Sequence, residues 1–524
     1  MSETLGSVLA RAARQHARAE AVVDGETRWS YAELDARVQA FDAALDELGL
    51  EQGDVVAVLA QNSAEHLVTW LAIPRSGRVL NDLNYRLAPA ELEFILGDSG
   101  AKALVVDDGF LEVGQRLAST VDGIEHLIHA GAGPTPDGCS SFEALSTSGA
   151  ARALESLDPD ALAGIFYTGG TTGLPKGAML SHRNLIQNAK HMLIALGYDE
   201  SDTYIHAAPM FHLADGASLF GITWVGGKHV TQRAFTPASW LALVESERAT
   251  RGMLVPTMVA MVLEEPSLAE RDISSLRSVM YGASPMPTAL LARAMQSIPC
   301  DWYQGYGMTE AAPLVSMLTA REHRAGIAGA GQVADRLRSS GRPIVGVEVE
   351  VRGPDGAPCA EGEPGEIYVR GANVMRGYWN RPAETAQALV DDGWYRTGDA
   401  AWMDADGYLY IVDRIKDMII SGGENVYSTE VENAIYRHEA VLECAVFGIP
   451  HPRLGEQVHA AVVTRAGAAV DADDLVEHCR GLIAGYKLPR SIEFLDALPK
   501  SGAGKILKRD LRAPFWQGHE RQVS

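Results

Sequence analysis

Long apolar runs are missing from this chain of 524 residues: no stretch approaches the roughly 20 consecutive apolar residues that a membrane-spanning helix needs. The first residues, MSETLGSVLARAARQHARAE, also lack the continuous apolar core of a secretory signal, so a cytoplasmic location is expected. Cysteine is scarce. Cys139, Cys300, Cys359, Cys444 and Cys479 are odd in number and scattered, with no pair at metal-ligand or redox spacing, which points to reduced, partly buried thiols. Positive charge is short as well: 45 basic residues face 68 acidic ones, a net −23 that argues against nucleic acid and anionic membrane surfaces as partners. Low-complexity blocks and internal repeats are absent, and 47% hydrophobic with 22% charged residues is the composition of an ordinary globular protein.

What is present is a β-α rhythm. Leu5 to Leu50 reads as helical with a short strand pair around Glu26 to Trp29, then VVAVLA at Val55 to Ala60 reads as a buried strand followed by an amphipathic stretch, Ala64 to Ser76. The alternation returns in Pro89 to Asp98 followed by ALVVDD, in Leu162 to Tyr167 and in Ser278 to Tyr281, which predicts large, mostly parallel α/β layers. After about Gly341 the texture turns to short strands and Gly/Pro/Asp turns, a small antiparallel β subdomain. From Asp417 onward a compact α+β module follows, with helices at Ser428 to Arg437 and Ala472 to Ile483 and strands near Val441 to Phe447, Val458 to Val463 and Ser491 to Phe494.

Chemistry concentrates at Tyr167 to Gly177, YTGGTTGLPKG. Glycines Gly169, Gly170 and Gly173 let a backbone turn tightly and offer its N–H groups to a polyanion, while Thr168, Thr171 and Thr172 add hydroxyl donors and Lys176 a point charge. This is a phosphate cradle, and the missing Gly-Lys-Ser/Thr closure excludes a Walker A loop.

That loop resembles the signature of the adenylate-forming superfamily, which includes acyl-CoA synthetases, adenylation domains of peptide synthetases and firefly luciferase, and further segments resemble its other motifs in order along nearly the whole chain. The resemblance implies a fold of class α/β: a large N-terminal domain of layered sheets with the β subdomain (residues 1–413), a hinge (414–417), and a small mobile α+β C-terminal domain (418–524). It implies ATP, Mg²⁺ and coenzyme A as cofactors or co-substrates. YGASPMP supplies Gly282, Ala283 and Ser284 to an adenine pocket; QGYGMTE supplies Tyr306, Gly307, Thr309 for the α-phosphate and Glu310 for magnesium, a hard cation that prefers carboxylate oxygen. WYRTGD and IVDRIKD place Asp399 and Arg414 on the ribose, and PKSGAGKILKR carries the adenylation lysine, Lys505. Lys416 falls at the pivot of domain rotation, and Gly422 and Gly423 resemble the flank of a pantetheine tunnel.

APMFHLADG places His212 where acyl-CoA synthetases often have a gate between acyl pocket and thiol tunnel; amino-acid-activating relatives have aspartate there, so an α-amino acid substrate is disfavoured. The apolar stretches LFGITWVGG and MLVPTMVAMV suit a fatty, aryl or polycyclic carboxylic acid. No carrier domain follows Lys505, so coenzyme A is the expected acceptor, with a separate carrier protein as the alternative. A luciferase-like oxygenase and a non-catalytic nucleotide-binding protein stand as further alternatives, and the sequence leaves a homodimer open.

Overall fold

A computed structural model of the protein describes residues 3–149, 152–168, 175–284, 286–414, 417–422, 424–465, 467–500 and 506–517. A seven-stranded sheet runs Ser140–Ser141, His126–His129, Ala101–Val106, Val55–Leu59, Val79–Asp82, Leu162–Thr168, Lys176–Ser181, parallel except for the final hairpin. Every residue of Val55–Leu59 is buried, as a strand covered on both faces requires. The helix Ala64–Arg75 departs from the amphipathic expectation, because all its residues but Glu65 are buried. It packs on helices Leu5–Gln15 and Tyr31–Glu47 as well as on the sheet, and its one deep cation, Arg75, is paired with buried Asp42.

A second, nine-stranded sheet has parallel central strands, Thr203–His206, Arg251–Leu254, Ser278–Gly282 and Asp301–Gly307, and antiparallel pairs toward both edges. A third sheet is antiparallel throughout: Val347–Arg352, Gly365–Gly371, Trp394–Met403 and Leu389–Val390, with Leu409–Arg414 on the long strand. A fourth is built on the hairpin Val441–His451 and Gly455–Thr464, with Ser491–Phe494 parallel to the second of these strands and helices Ser428–Ile435 and Ala472–Arg480 nearby.

Third and fourth sheets are joined through polar atoms. The Asp413 carboxylate accepts hydrogen bonds from the Ser428 amide (2.6 Å) and hydroxyl (2.7 Å), capping the first turn of the helix beyond it. Lys508 pairs with Glu432 at 2.8 Å on that same helix, and the Val446 amide donates to Glu432 at 2.7 Å. Among the described residues no helix is long and apolar enough to cross a membrane.

Candidate active site

The strands Leu162–Thr168 and Lys176–Ser181 form a hairpin in which Tyr167 faces Gly177 and Thr168 faces Lys176. Gly169, Gly170, Thr171, Thr172 and Gly173, which follow Thr168 in the chain, lie outside the described residues, as do Lys416, Gly423 and Lys505. The Thr168 hydroxyl donates to the Lys176 carbonyl at 3.4 Å, closing the hairpin stem.

A strap from the third sheet runs along this hairpin. The Met179 amide donates to Gly377 O (2.9 Å), the Arg376 amide to Met179 O (3.0 Å) and the Trp379 amide to Gly177 O (2.8 Å). The strap is also tied to Asp98, at the end of the helix Pro89–Ser99: the Trp379 indole donates to its carbonyl at 3.0 Å and Arg381 to its carboxylate at 2.9 Å. Tyr167, one residue before the end of the first hairpin strand, donates to the other Asp98 oxygen at 2.7 Å.

Glu310 arrives from the second sheet on the short 3₁₀ turn Thr309–Ala311, whose carbonyls are held by the Met375 amide (2.8 Å, to Glu310 O) and the Asn373 side chain (2.7 Å, to Ala311 O). The Tyr378 hydroxyl donates to Glu310 Oε1 at 2.9 Å, while the Lys176 ammonium lies 5.3 Å over the same ring. Burial, then the charge of Glu310, pushes the Tyr378 phenol above its ordinary value, so it stays a neutral donor at physiological pH. Buried Tyr395 interacts with both Tyr378 and Glu310.

Next to this group lies a tyrosine–carboxylate pair: Tyr306 donates to Asp399 Oδ2 at 2.8 Å. Asp399 stands opposite Arg414 in the strand register; the Arg414 side chain lies outside what the structure describes. Gly282 ends its strand where a Cβ would sit 2.4 Å from Gly305 O, so only glycine lets the two backbones approach. Ala283 then takes a left-handed φ of 66°, which turns the chain out of the sheet toward Ser284. Gly307 is constrained similarly, its notional Cβ lying 2.0 Å from Pro313 O.

His212 precedes the short helix Leu213–Gly216, its ring 4.3 Å from that of Phe211, which in turn meets Tyr85 edge-on at 5.0 Å. Behind it a fully buried chain runs from Asp215 to His206 Nδ1 (2.8 Å), from His206 Nε2 to His229 Nδ1 (3.0 Å) and from His229 Nε2 to Thr223 Oγ1 (3.0 Å). Burial holds the His229 ring far below the ordinary imidazole value, so it stays neutral. Gly422 adopts a left-handed φ of 64° in the turn after Ile419–Ser421, its amide donating to Leu454 O at 2.9 Å.

Tyr378 thus links Lys176 with Glu310, Tyr395 links Glu310 with Asp399 and its partner Tyr306, and neither Tyr378 nor Asp98 stands in a recognisable motif. Nothing in RGYWNRP marks Tyr378, since a phenol in a Gly/Asn/Pro segment reads as an ordinary turn.

Layered, mostly parallel α/β sheets followed by a small antiparallel sheet and an α+β unit are the architecture of the AMP-binding ligases. The chain matches the AMP-binding enzyme family model over residues 9–379 and the AMP-binding enzyme C-terminal domain over residues 430–505, and it belongs to that family. It is 40% identical over 521 residues to a feruloyl-CoA synthase of Amycolatopsis sp, covering 98% of this chain and 99% of that one. To the fatty acid–[acyl-carrier-protein] ligase ScoC of Streptomyces coeruleorubidus it is 34% identical, covering 94% of this chain and 93% of that one. Among solved structures, ATP-bound MatB from Rhodopseudomonas palustris superposes with a TM-score of 0.88 at 31% identity, covering 99% of this chain and all (100%) of that one.

Proposed function

We propose that this chain is an ATP-dependent acyl-CoA synthetase acting on an apolar carboxylic acid, with an aryl acid of the hydroxycinnamic type as its first candidate substrate. The observation that carries the reading is the convergence of three charged residues on two tyrosines: Tyr378 meets Lys176 and Glu310, and Tyr395 interacts with Glu310 and with Asp399, which Tyr306 bonds. The choice of an aryl acid is supported by the relation to a feruloyl-CoA synthase.

In the first half-reaction a substrate carboxylate oxygen attacks the α-phosphorus of ATP, the bond to the β-phosphate bridging oxygen breaks, and pyrophosphate leaves with that electron pair. The hairpin amides and Lys176 grip the triphosphate, Thr309 holds the α-phosphate, and Asp399 with Arg414 takes the ribose hydroxyls. Lys505 screens the repulsion between carboxylate and phosphate. Glu310 would hold magnesium, a hard cation that prefers carboxylate oxygen. Bound there, magnesium neutralises charge on the departing pyrophosphate.

In the second half-reaction the thiolate sulfur of coenzyme A attacks the acyl carbonyl carbon and AMP leaves with the C–O electron pair. His212 gates the passage between acid and thiol, and the segment beyond the 414–417 hinge swings about Lys416 to exchange Lys505 for the Gly422–Gly423 turn. A cytoplasmic setting, where ATP and coenzyme A meet, belongs to this reading.

A panel of hydroxycinnamic, benzoic and fatty acids with ATP and coenzyme A, read by mass spectrometry, is expected to give thioester and AMP in equal amounts. Pyrophosphate exchange should fall by at least about a hundredfold in Lys505→Ala, the scale of losing one group that stabilises developing charge. Exchange that persists in that variant would falsify the mechanism. A carrier-protein acceptor is a second reading, favoured by the similarity to ScoC; thioester on a holo-carrier protein but not on coenzyme A would select it.

A further inference from the structure

We propose that Tyr378 is a positioning residue that holds the phosphate-loop lysine and the Glu310 carboxylate apart at a fixed spacing, so that the triphosphate and its magnesium meet a prearranged site. The inference rests on the roles of Lys176 and Glu310 proposed above.

Three observations support it. The hydroxyl is committed to Glu310 Oε1 at 2.9 Å, and the ring face carries the Lys176 ammonium at 5.3 Å, so one rigid side chain touches both charged groups. Its backbone is immobilised on both sides, by Gly377 and Trp379 pairing with the hairpin strand and by Met375 bonding the Glu310 carbonyl. Met375 beside it is buried at 3% exposed, whereas Tyr378 packs only partly against the same core, which leaves its ring face and hydroxyl to the two charged groups. An ammonium and a carboxylate free to approach would close into an ion pair and would have to be pulled apart before either met a ligand. Engaging one on the ring face and the other on the hydroxyl leaves each with open valence: the ammonium for phosphate oxygen, the carboxylate for a hard cation.

Ring and hydroxyl can be separated experimentally. In Tyr378→Phe the ring remains, so ATP binding measured calorimetrically in EDTA should stay close to wild type, while the strengthening of that binding by MgCl₂ should shrink about tenfold, the low end for losing a hydrogen bond to a charged group. In Tyr378→Leu the ring is gone too, and ATP binding should weaken already in EDTA. Pyrophosphate exchange with the best acid of the panel should need about tenfold more magnesium in Tyr378→Phe and recover as magnesium saturates. The proposal is overturned if magnesium strengthens ATP binding in Tyr378→Phe as much as in wild type, or if both variants merely lose thermal stability with no change in the magnesium response. Glu310→Gln separates the two layers: if magnesium still strengthens ATP binding there, the assignment of Glu310 itself fails, whereas a defective Glu310→Gln beside a wild-type-like Tyr378→Phe removes only the role of Tyr378.

Discussion

Single atoms set the tightest limits on this site. Gly282 is the clearest case, because a methyl group there would press on the Gly305 carbonyl of the neighbouring strand, and backbone does not yield as a side-chain tip does. Gly282→Ala is expected to cost about 1–3 kcal/mol, the range for forcing a methyl into a packed position. It should weaken ATP binding together with the thermal midpoint; a midpoint and affinity equal to wild type would show that the two strands part easily. The residues that could be named from sequence, Lys176, Glu310 and Asp399, are charges set in glycine-rich segments, where charge has few structural reasons to be. Tyr378 and Asp98 could not be named that way. One is a phenol in a turn and the other a carboxylate at a helix end, and their meaning lies in partners 68 and 69 residues away in the chain, Glu310 and Tyr167.

Among the elements, the strap is the least legible and the most consequential. It has no regular secondary structure over Arg376–Asn380, yet it pairs with the hairpin strand and locks onto Asp98. Periodicity cannot announce such a segment, because its hydrogen bonds come from a distant strand rather than from its own repeat. The regular elements were easier: Ser491–Phe494 stands where its alternation puts it, while Val441–His451 outruns its expected end near Phe447 because pairing with Gly455–Thr464 continues to the hairpin turn. The buried helix Ala64–Arg75 has an amphipathic sequence because His66, Thr69 and Arg75 look solvent-facing, yet each has a partner inside. Asp98→Ala removes the acceptor shared by Tyr167 and Arg381 and leaves that guanidinium partly buried without its partner. A loss of about 2 kcal/mol is expected, with a several-fold higher KM for ATP. A lowered thermal midpoint without any change in KM would confine Asp98 to a scaffolding role.

For the molecule as a whole, acid should be the weak side. His182 accepts the Leu5 amide at 3.3 Å, His191 meets Gln187 at 2.8 Å and His323 meets Tyr281 at 2.9 Å, and burial pushes each ring down to about 4. In the unfolded chain these rings take up protons near pH 6.5. Their contribution to stability is therefore complete above about pH 6.5 and drains away as pH falls toward about 4, by up to roughly 3 kcal/mol for each ring. Thermal midpoints taken from pH 7 down to pH 5 should drop steadily, and His182→Asn should make that drop shallower; a flat profile through pH 5 would mean the rings are not held neutral.

The strap carries a further consequence for the order of events during folding. It fastens the hairpin of the first sheet, Glu310 of the second and its own third sheet at one place, through contacts such as Trp379 to Asp98 that span 281 residues. Contacts of such separation close late, because the loop entropy must be met before they return anything. ATP affinity should therefore be among the last properties a refolding chain acquires, and an N-terminal fragment ending before the strap should acquire its helices and the first sheet without ever acquiring the nucleotide.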